Sequence, residues 1–363
     1  MIVGLIIALI VYAALVFYIG WSGYRGFGVK NKVFLIAYSI ILGLLSISFI
    51  LGRVVGGSTI LTIIGNYWLA LFSLSLMILP VVQLIMLILR FTRLDRNKTR
   101  VTATILTLVI LLSVLGYGSY MAYTPTVNSY SIKINKEYKQ DLNVVMFSDM
   151  HFGYLSGAKH AERLVQEVNA IKPDLIIIPG DIIDDDLDIV QEKDIFSILS
   201  GLEAPLGVYG SLGNHDRYRG NMDELITAIE SSNMDILYDE GMIVDEGIVL
   251  IGRKDHSEGV RMETSELTAQ FDEQLPIILL DHQPYQYAEA EAAGVDLVVS
   301  GHTHYGQIMP GNLITGALFE NDWGYLQKGA LHTIVSSGYG FWGPPIRIGS
   351  QSEIVQIHID FDN

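Results

Sequence analysis

The first 124 residues of the chain contain a single acidic residue, Asp95, beside nine lysines and arginines. The other 14 basic and 38 acidic residues of the 363-residue chain lie in residues 125–363. The net charges of the two parts are therefore +8 and −24, which together give the overall charge of −16. This division predicts that the two parts meet different surroundings, a lipid bilayer and water.

Four apolar stretches fill the first part of the chain. A transmembrane helix needs about 20 predominantly apolar residues, and each stretch reaches or approaches that length. Three more stretches follow the first one, which argues against a cleaved signal peptide. A shorter apolar run, Thr59–Ile64, would invert the later topology if it were a fifth span, but it is too short to cross. The predicted spans are Ile2–Trp21, Val33–Leu51, Asn66–Leu89 and Val101–Ala122.

The loops between these spans differ in positive charge. The first loop carries three basic residues and the third carries five, whereas Arg53 is the only one in the second. Because basic loops stay in the cytoplasm, we expect the N-terminus and the acidic part of the chain outside it.

The acidic part reads as an α/β domain. Leu142–Ser148 and Leu175–Pro179 are predicted as buried strands, and Ala158–Ile171 between them has the apolar spacing of an amphipathic helix. The predicted organisation is a transmembrane domain over residues 1–124, a tether over 125–141 and the α/β domain over 142–363. The chain has no cysteine, which excludes disulfides and thiolate metal ligands. The acidity makes nucleic acid an unlikely partner.

Polar side chains follow the ends of five predicted strands. Ligands gather beyond the carboxyl ends of strands in open α/β sheets, so we expect these side chains to meet. They combine carboxylate, amide and imidazole groups, a set that suits Mn, Fe or Zn better than Ca or Mg. The residues are Asp149, His151, Asp181, Asn214, His215, Asp216, His282, His302 and His304.

In order along the chain, these residues spell D-x-H, G-D, G-N-H-D, a lone His and G-H-x-H. The series resembles the calcineurin-like metallophosphoesterases, in particular a membrane-anchored bacterial-type subgroup. The resemblance implies a two-sheet β-sandwich flanked by helices, here preceded by an all-α bundle of four transmembrane helices. It also implies two divalent metal ions, Mn, Fe or Zn. Asp149, His151, Asp181 and His304 would hold the first ion; Asp181, as a bridge, would hold the second with Asn214, His282 and His302.

The resemblance also assigns roles beside the metals. His215 would lie close to the phosphate, as a general acid or to stabilise developing charge, and Asp216 would orient it. Two divalent ions activate water and stabilise an in-line displacement at phosphorus. The acidic run Asp184–Asp186 with Asp188 is expected to be a solvated turn or a helix start rather than a third metal site. Arg217 follows the G-N-H-D motif and could touch a phosphate.

Two further features lie near the C-terminus: Tyr305, which departs from the subgroup's pattern, and the loop Ser337–Arg347, which resembles the subgroup's C-terminal loop. Tyr305 stands where the subgroup commonly has a small residue, and it either narrows the pocket or supports a bound substrate. The loop Ser337–Arg347 carries three aromatic residues. It could form a substrate wall, a membrane-facing lip or an ordinary packed loop.

The expected function is membrane-anchored hydrolysis of a phosphomonoester, phosphodiester or lipid pyrophosphate bond by metal-activated water. Four spans exceed what an anchor requires, which favours a lipid-linked or cell-envelope phosphate ester as substrate and membrane lipid as a partner. The alternative is a noncatalytic membrane receptor or envelope-binding module that retains the metallophosphoesterase shell. A transporter regulated by the acidic domain is disfavoured, because the spans contain almost no ionisable residues.

Overall fold

The computed structural model describes residues 2–29, 31–55, 58–184, 187–216 and 222–362. The chain divides into two compact units. The helical unit comprises Met1–Ser119 and Gly343–Ile346, and the α/β unit comprises Tyr120–Trp342 and Arg347–Asn363.

Within the described residues, four helices are long and apolar enough to cross a membrane. They confirm that the four apolar stretches are helices, and they extend beyond most of the predicted ends. The Thr59–Ile64 run is the first part of the third helix, whose 31 residues reach about 46 Å at 1.5 Å per residue. The helices are α1 (Ile2–Phe27), α2 (Lys32–Val55), α3 (Thr59–Leu89) and α4 (Arg96–Tyr123).

Polar groups inside the helical unit are paired with one another. The Tyr12 hydroxyl donates to the Ser46 carbonyl (2.8 Å) and accepts from Trp68 Nε1 (2.7 Å), which links α1, α2 and α3. Gly65 of α3 lies directly against the backbone of Phe49 in α2. Small residues at such crossings let helices approach closely in a membrane, where packing and hydrogen bonds hold them together.

Within the described residues, the α/β unit contains two six-stranded sheets. The first has the order β1-β12-β2-β3-β4-β5 and the second β10-β11-β9-β8-β7-β6. β2, β3 and β4 are parallel neighbours in the first sheet, and β7, β8 and β9 are parallel neighbours in the second. The strands are β1 (Thr126–Glu137), β2 (Leu142–Met146), β3 (Leu175–Pro179), β4 (Val208–Ser211), β5 (Asp235–Ile236), β6 (Glu240–Val244), β7 (Ile248–Gly252), β8 (Ile277–Leu280), β9 (Leu297–Ser300), β10 (Gly324–Lys328), β11 (Leu331–Val335) and β12 (Glu353–Asp362).

The two sheets pack face to face, as the predicted sandwich requires. Alternate residues of a strand point to opposite faces. In β2, Val144 and Met146 enter the core between the sheets, whereas Val145 packs against helices on the outer face. Strands covered on both faces read as continuous apolar runs. The covering helices and others of this unit are α5 (Ala158–Ile171), α6 (Leu187–Glu192), α7 (Ile195–Leu199), α8 (Met222–Glu230), α9 (Thr264–Thr268), α10 (Tyr287–Ala292) and α11 (Gly311–Leu318).

The predicted tether over residues 125–141 is wrong for most of its length. Thr126–Glu137 forms β1, which pairs in parallel with β12 at the edge of the first sheet. Ile132 and Ile134 are buried, while Lys133 between them is exposed. This period of two is the signature of a half-buried strand, but polar residues at other inward-facing positions, Asn128 and Lys136, obscured it. The segment is therefore part of the α/β unit.

Candidate metal centre

The predicted site residues come together at the carboxyl ends of parallel strands in both sheets. β2, β3 and β4 lead to the first residues, and β8 and β9 lead to the others. His282 Nδ1 lies 2.8 Å from the Pro179 carbonyl at the end of β3, which joins the edges of the two sheets. The strands therefore deliver Asp149 and His151, Asp181, Asn214 and His215, His282, and finally His302 and His304 to one place.

The backbone at these strand ends is unusual. Five of the seven proposed ligands, all within the described residues, have left-handed φ angles between 46° and 69°. Residues other than glycine rarely adopt this region, and when they do they cluster at functional sites that the surrounding structure holds in place. The five are Asp149, His151, Asp181, His302 and His304. The turns thus depart from strand geometry where alternate residues must face one centre.

One group of ligand atoms surrounds His304. Its Nε2 lies 3.1 Å from His151 Nε2 and 3.4 Å from Asp149 Oδ1. His151 Nε2 in turn lies 3.7 Å from Asp181 Oδ2. Two imidazole nitrogens and two carboxylates therefore converge, and this is the set predicted for the first metal ion.

A second group lies on the other side of Asp181. Asp181 Oδ2 is 3.1 Å from His282 Nε2, and that nitrogen is 3.2 Å from Asn214 Oδ1. Asn214 Oδ1 is also 2.8 Å from His302 Nδ1. When His282 Nδ1 donates to the Pro179 carbonyl, the Nε2 lone pair is left for a ligand, the usual arrangement of a metal-binding histidine. Asp181 faces both groups.

The charges of the buried site fit divalent cations. Burial opposes protonation of His282, yet the Asp181 carboxylate raises the pKa of this imidazole well above its ordinary value. Burial likewise opposes ionisation of Asp181, but the charges of His282 and His151 hold the pKa of that carboxyl well below its usual range. The buried carboxylates thus favour positive charge beside them. Metal ions would supply that charge, because histidine ligates as the neutral base.

Backbone donors hold the two key carboxylates in position. Asp149 accepts from the His302 amide (3.0 and 3.1 Å) and from the Ser148 hydroxyl. Asp181 Oδ1 accepts from the His215 amide at 2.8 Å. A Cβ on Gly301 would collide with the Asp149 carboxylate, so this position needs glycine to let the strands approach.

The predicted role of Asp216 is wrong. Its buried carboxylate accepts from the backbone amides of Ile183 (2.9 Å) and Gly213 (2.8 Å), so it ties two ligand-bearing loops together. Burial, together with the nearby charge of Asp181, raises the pKa of Asp216 to about 7. A strand-end Asp that organises loops looks the same in sequence as one that orients a histidine.

Asp184 is the carboxylate that meets His215. Its Oδ1 lies 3.0 Å from His215 Nδ1 and 3.3 Å from His151 Nδ1. Burial would raise its pKa, but hydrogen bonds from both histidines hold the pKa of this carboxyl well below its usual range. The expectation of a merely solvated turn is wrong for Asp184. The rest of that run, Asp185 and Asp186, and also Arg217, lie outside the described residues.

His215 also offers a ring nitrogen within 4.8 Å of ligand atoms of His151 and Asp181. It is half-buried, and its ring lies 4.7 Å from that of His151 and 6.0 Å from that of Trp342. It therefore stands at the open side of the site.

The aromatic loop has two buried rings and one exposed. The Tyr339 hydroxyl donates to the His160 carbonyl (2.9 Å), and the Phe341 ring packs on Tyr123 (4.9 Å). Trp342 is exposed beside His215. The packed-loop interpretation holds for Tyr339 and Phe341. Tyr305 stacks on Trp323 with 4.7 Å between ring centroids.

Arg347 lies inside the aromatic loop and binds its backbone. Sequence analysis did not predict this role. Its fully buried guanidinium donates to the carbonyls of Ser337 (2.6 Å) and Gly340 (2.7 Å) and lies 3.2 Å from His304 Nδ1. A buried guanidinium requires hydrogen-bond acceptors around it. The two carbonyls named here belong to residues 10 and 7 positions before Arg347 in the sequence.

Comparison with known proteins agrees with this site. Residues 142–306 match the model of the calcineurin-like phosphoesterase family. An uncharacterized metallophosphoesterase of Aquifex aeolicus is 30% identical over 252 residues, which are 67% of this chain and 95% of that protein. The chain belongs to the calcineurin-like metallophosphoesterase family.

In two other relatives, the similarity to this chain covers only part of the protein. An uncharacterized metallophosphoesterase of Campylobacter jejuni is 31% identical over 254 residues, 65% of this chain and 63% of that protein. A transmembrane protein with metallophosphoesterase domain of Bos taurus is 29% identical over 256 residues, 65% of this chain and 57% of that protein. The chain thus spans about three fifths of the length of these two relatives.

Proposed function

We propose that the protein hydrolyses phosphate esters with two divalent metal ions, Mn, Fe or Zn, held by the seven predicted ligands. The observation that carries the proposal is the position of Asp181, whose Oδ2 lies 3.7 Å from His151 Nε2 and 3.1 Å from His282 Nε2. A carboxylate between two converging groups of ligand atoms is what a dinuclear centre requires. Bound metal ions would supply Lewis acidity and an activated water for displacement at phosphorus.

In this proposal, residues beside the metal ligands handle the proton and hold the loops of the site in place. His215 stands at the open side of the site, where its ring can donate a proton to a leaving oxygen or balance negative charge on the phosphoryl group. Asp184 accepts from His215 Nδ1 and so directs the other ring nitrogen, Nε2, away from the carboxylate. Asp216 keeps the loops of His215 and Asp181 in register through their backbone amides.

We further propose that the substrate is a phosphate ester borne by lipid or the cell envelope, and that the α/β unit works outside the cytoplasm. Four candidate spans and basic first and third loops support this. The acidic charge of the α/β unit makes nucleic acid a poor substrate.

The full-length protein in detergent tests the hydrolase proposal. We expect about two metal ions per chain and hydrolysis of soluble phosphodiesters or monoesters after loading with Mn. Asp181→Asn should lower both metal content and rate, whereas Asp188→Asn, an exposed carboxylate of the same acidic segment, should change neither. Fewer than two ions per chain with no hydrolysis after Mn loading would favour the noncatalytic receptor.

A single introduced cysteine tests the orientation, because the chain has none of its own. Val260→Cys lies in an exposed loop of the α/β unit, with 88% of the native side chain exposed. A membrane-impermeant maleimide should label it on intact cells. Labelling only after the cells are broken would place the α/β unit in the cytoplasm.

A further inference from the structure

Helix α11 is an exposed apolar helix beside the metal centre. All residues of Gly311–Leu318 are described, and none of their side chains is fully buried. Leu313, Ile314 and Leu318 are exposed by 66, 61 and 67%. The segment contains no charged residue. A short helix gains its stability in a soluble domain by burying an apolar face, and α11 leaves that face open.

Both ends of α11 are held by the site. At its start, Gly306 lies against the backbone of Gly311 and Asn312, two residues after the proposed ligand His304. At its end, the Phe319 ring lies 6.0 Å from the ring of His302. The side of the helix that carries Thr315 is tied down by a hydrogen bond from its hydroxyl to Asp322 (2.7 Å). The helix is therefore fixed beside the metal centre, while its exposed apolar side chains point away from these contacts.

Two further exposed apolar residues flank the helix in the sequence. Met309 precedes it with 48% of its side chain exposed, and Trp323 follows it with 41% exposed. We call Met309, Leu313, Ile314, Leu318 and Trp323 the apolar rim. A group of exposed large apolar side chains, unlike a single one, marks a binding surface for protein or membrane.

We propose that the apolar rim inserts into the interfacial layer of the lipid bilayer that holds the four spans. Exposed leucine side chains on a helix, with a tryptophan nearby, are typical of segments that lie in this layer. The chain itself keeps the α/β unit near a bilayer, because α4 ends at Tyr123 and β1 begins at Thr126. A second copy of the chain is the poorer occupant, since residues 125–363 carry a net charge of −24 and two such units repel.

Insertion of the rim has a consequence for substrate access. His304 and His302 adjoin the two ends of α11, so the mouth of the metal centre would lie at the level of lipid headgroups. The rim contains no lysine or arginine, so apolar contact rather than anionic lipid drives the insertion. Its strength should therefore change little with salt.

Single-cysteine labelling of the full-length protein in phosphatidylcholine vesicles tests the proposal without relying on catalysis. An environment-sensitive fluorophore is attached at Ile314→Cys and, as the control, at Val260→Cys. We expect blue-shifted emission at position 314, quenching by nitroxide-labelled lipid chains and protection from aqueous iodide. The label at position 260 should behave as a fully hydrated one.

Two results would overturn the proposal. One is equal iodide quenching at positions 314 and 260. The other is protection at position 314 that grows with the protein-to-lipid ratio, which would identify a second copy of the chain as the occupant.

A second measurement extends the test to substrate access and rests on the proposed hydrolase function. In the double variant Ile314→Ser, Leu318→Ser, hydrolysis of a lipid-anchored phosphate ester in the same vesicles should fall roughly tenfold or more, as expected from the loss of two inserted side chains. Metal content and hydrolysis of a soluble ester should stay unchanged, which excludes a folding defect. Equal rates of variant and native protein on the lipid-anchored ester would contradict the role in access. Absence of soluble-ester hydrolysis in the native protein would instead contradict the proposed function and leave the labelling result to decide about the rim.

Discussion

Asp184→Asn removes one negative charge from between two histidines of the site and keeps the size of the side chain. In the native protein, Asp184 Oδ1 lies 3.0 Å from His215 Nδ1 and 3.3 Å from His151 Nδ1. The asparagine oxygen can still accept a hydrogen bond, so the geometry should survive. What is lost is the negative charge beside the His215 ring and the basicity it lends to His151.

The size of the effect follows from the distance. Two unit charges 3.0 Å apart attract by about 5 kcal/mol at an effective dielectric constant near 20. The side chains of Asp184 and His215 retain 26 and 22% exposure, so solvent screening reduces this to about 2–4 kcal/mol. At 1.36 kcal/mol per tenfold change, kcat should fall about 30- to 1000-fold. The affinity for metal should fall about 10- to 100-fold through His151.

The assay is steady-state hydrolysis of a soluble phosphate ester by the full-length protein at saturating Mn, with metal titrations beside it. Asp188→Asn is the matched control, because it removes an exposed carboxylate four residues away. Activity of Asp184→Asn within about threefold of native at saturating metal would refute the charge argument. A loss restored completely by excess metal would assign Asp184 to the metal site alone.

Three further predictions concern stability and metal binding. Gly301→Ala places a Cβ against the Asp149 carboxylate and should lower metal affinity about 10- to 100-fold. Gly259→Ala is the control, because a Cβ there meets open space. Equal metal content in the two variants would contradict the steric argument. Burial lowers the pKa of His160 from 6.5 to about 4. As the pH falls between these two values, His160 therefore takes up a proton in the unfolded chain but not in the folded protein. About 3 kcal/mol of stability present above pH 6.5 should therefore be lost by pH 4. In chemical denaturation, the free energy of unfolding of His160→Gln should depend less steeply on pH than that of the native protein. Identical pH profiles would contradict this prediction. Arg347→Met leaves buried carbonyls unpaired and should lower the free energy of unfolding by about 2–4 kcal/mol in the same assay. An unchanged denaturation midpoint would mean that water replaces the guanidinium.

The sequence was sufficient wherever one local pattern had one physical solution. A bilayer accepts only long apolar helices with internally satisfied backbones, so four apolar stretches could be predicted as four helices. Leu175–Pro179 was predicted with the bounds that β3 has, because a short apolar run ending in Gly-Asp has few other solutions. β1 was missed, because polar residues such as Asn128 and Lys136 occupy some of its inward-facing positions.

The same contrast holds within the site. Order along the chain predicted which oxygen and nitrogen ligands belong together, since parallel strands bring their carboxyl ends to one edge. It could not tell Asp184 from Asp216. Both are strand-end carboxylates near His215 in the fold, and only their directions separate a partner of the ring from a partner of the backbone. Arg347 and α11 were missed for the same reason, because burial and exposure are properties of the packed chain.

By itself, the sequence determined the division into an apolar and an acidic part, the four helices and the residues that gather at the candidate metal centre. These depend on solvent preference and on chemical type, which each residue carries with it. Only the tertiary structure decided that Asp181 stands between two ligand groups, that Asp184 meets His215, and that α11 leaves an apolar face open beside the centre. Those facts depend on distances between residues far apart in the chain, and packing of the two sheets sets these distances.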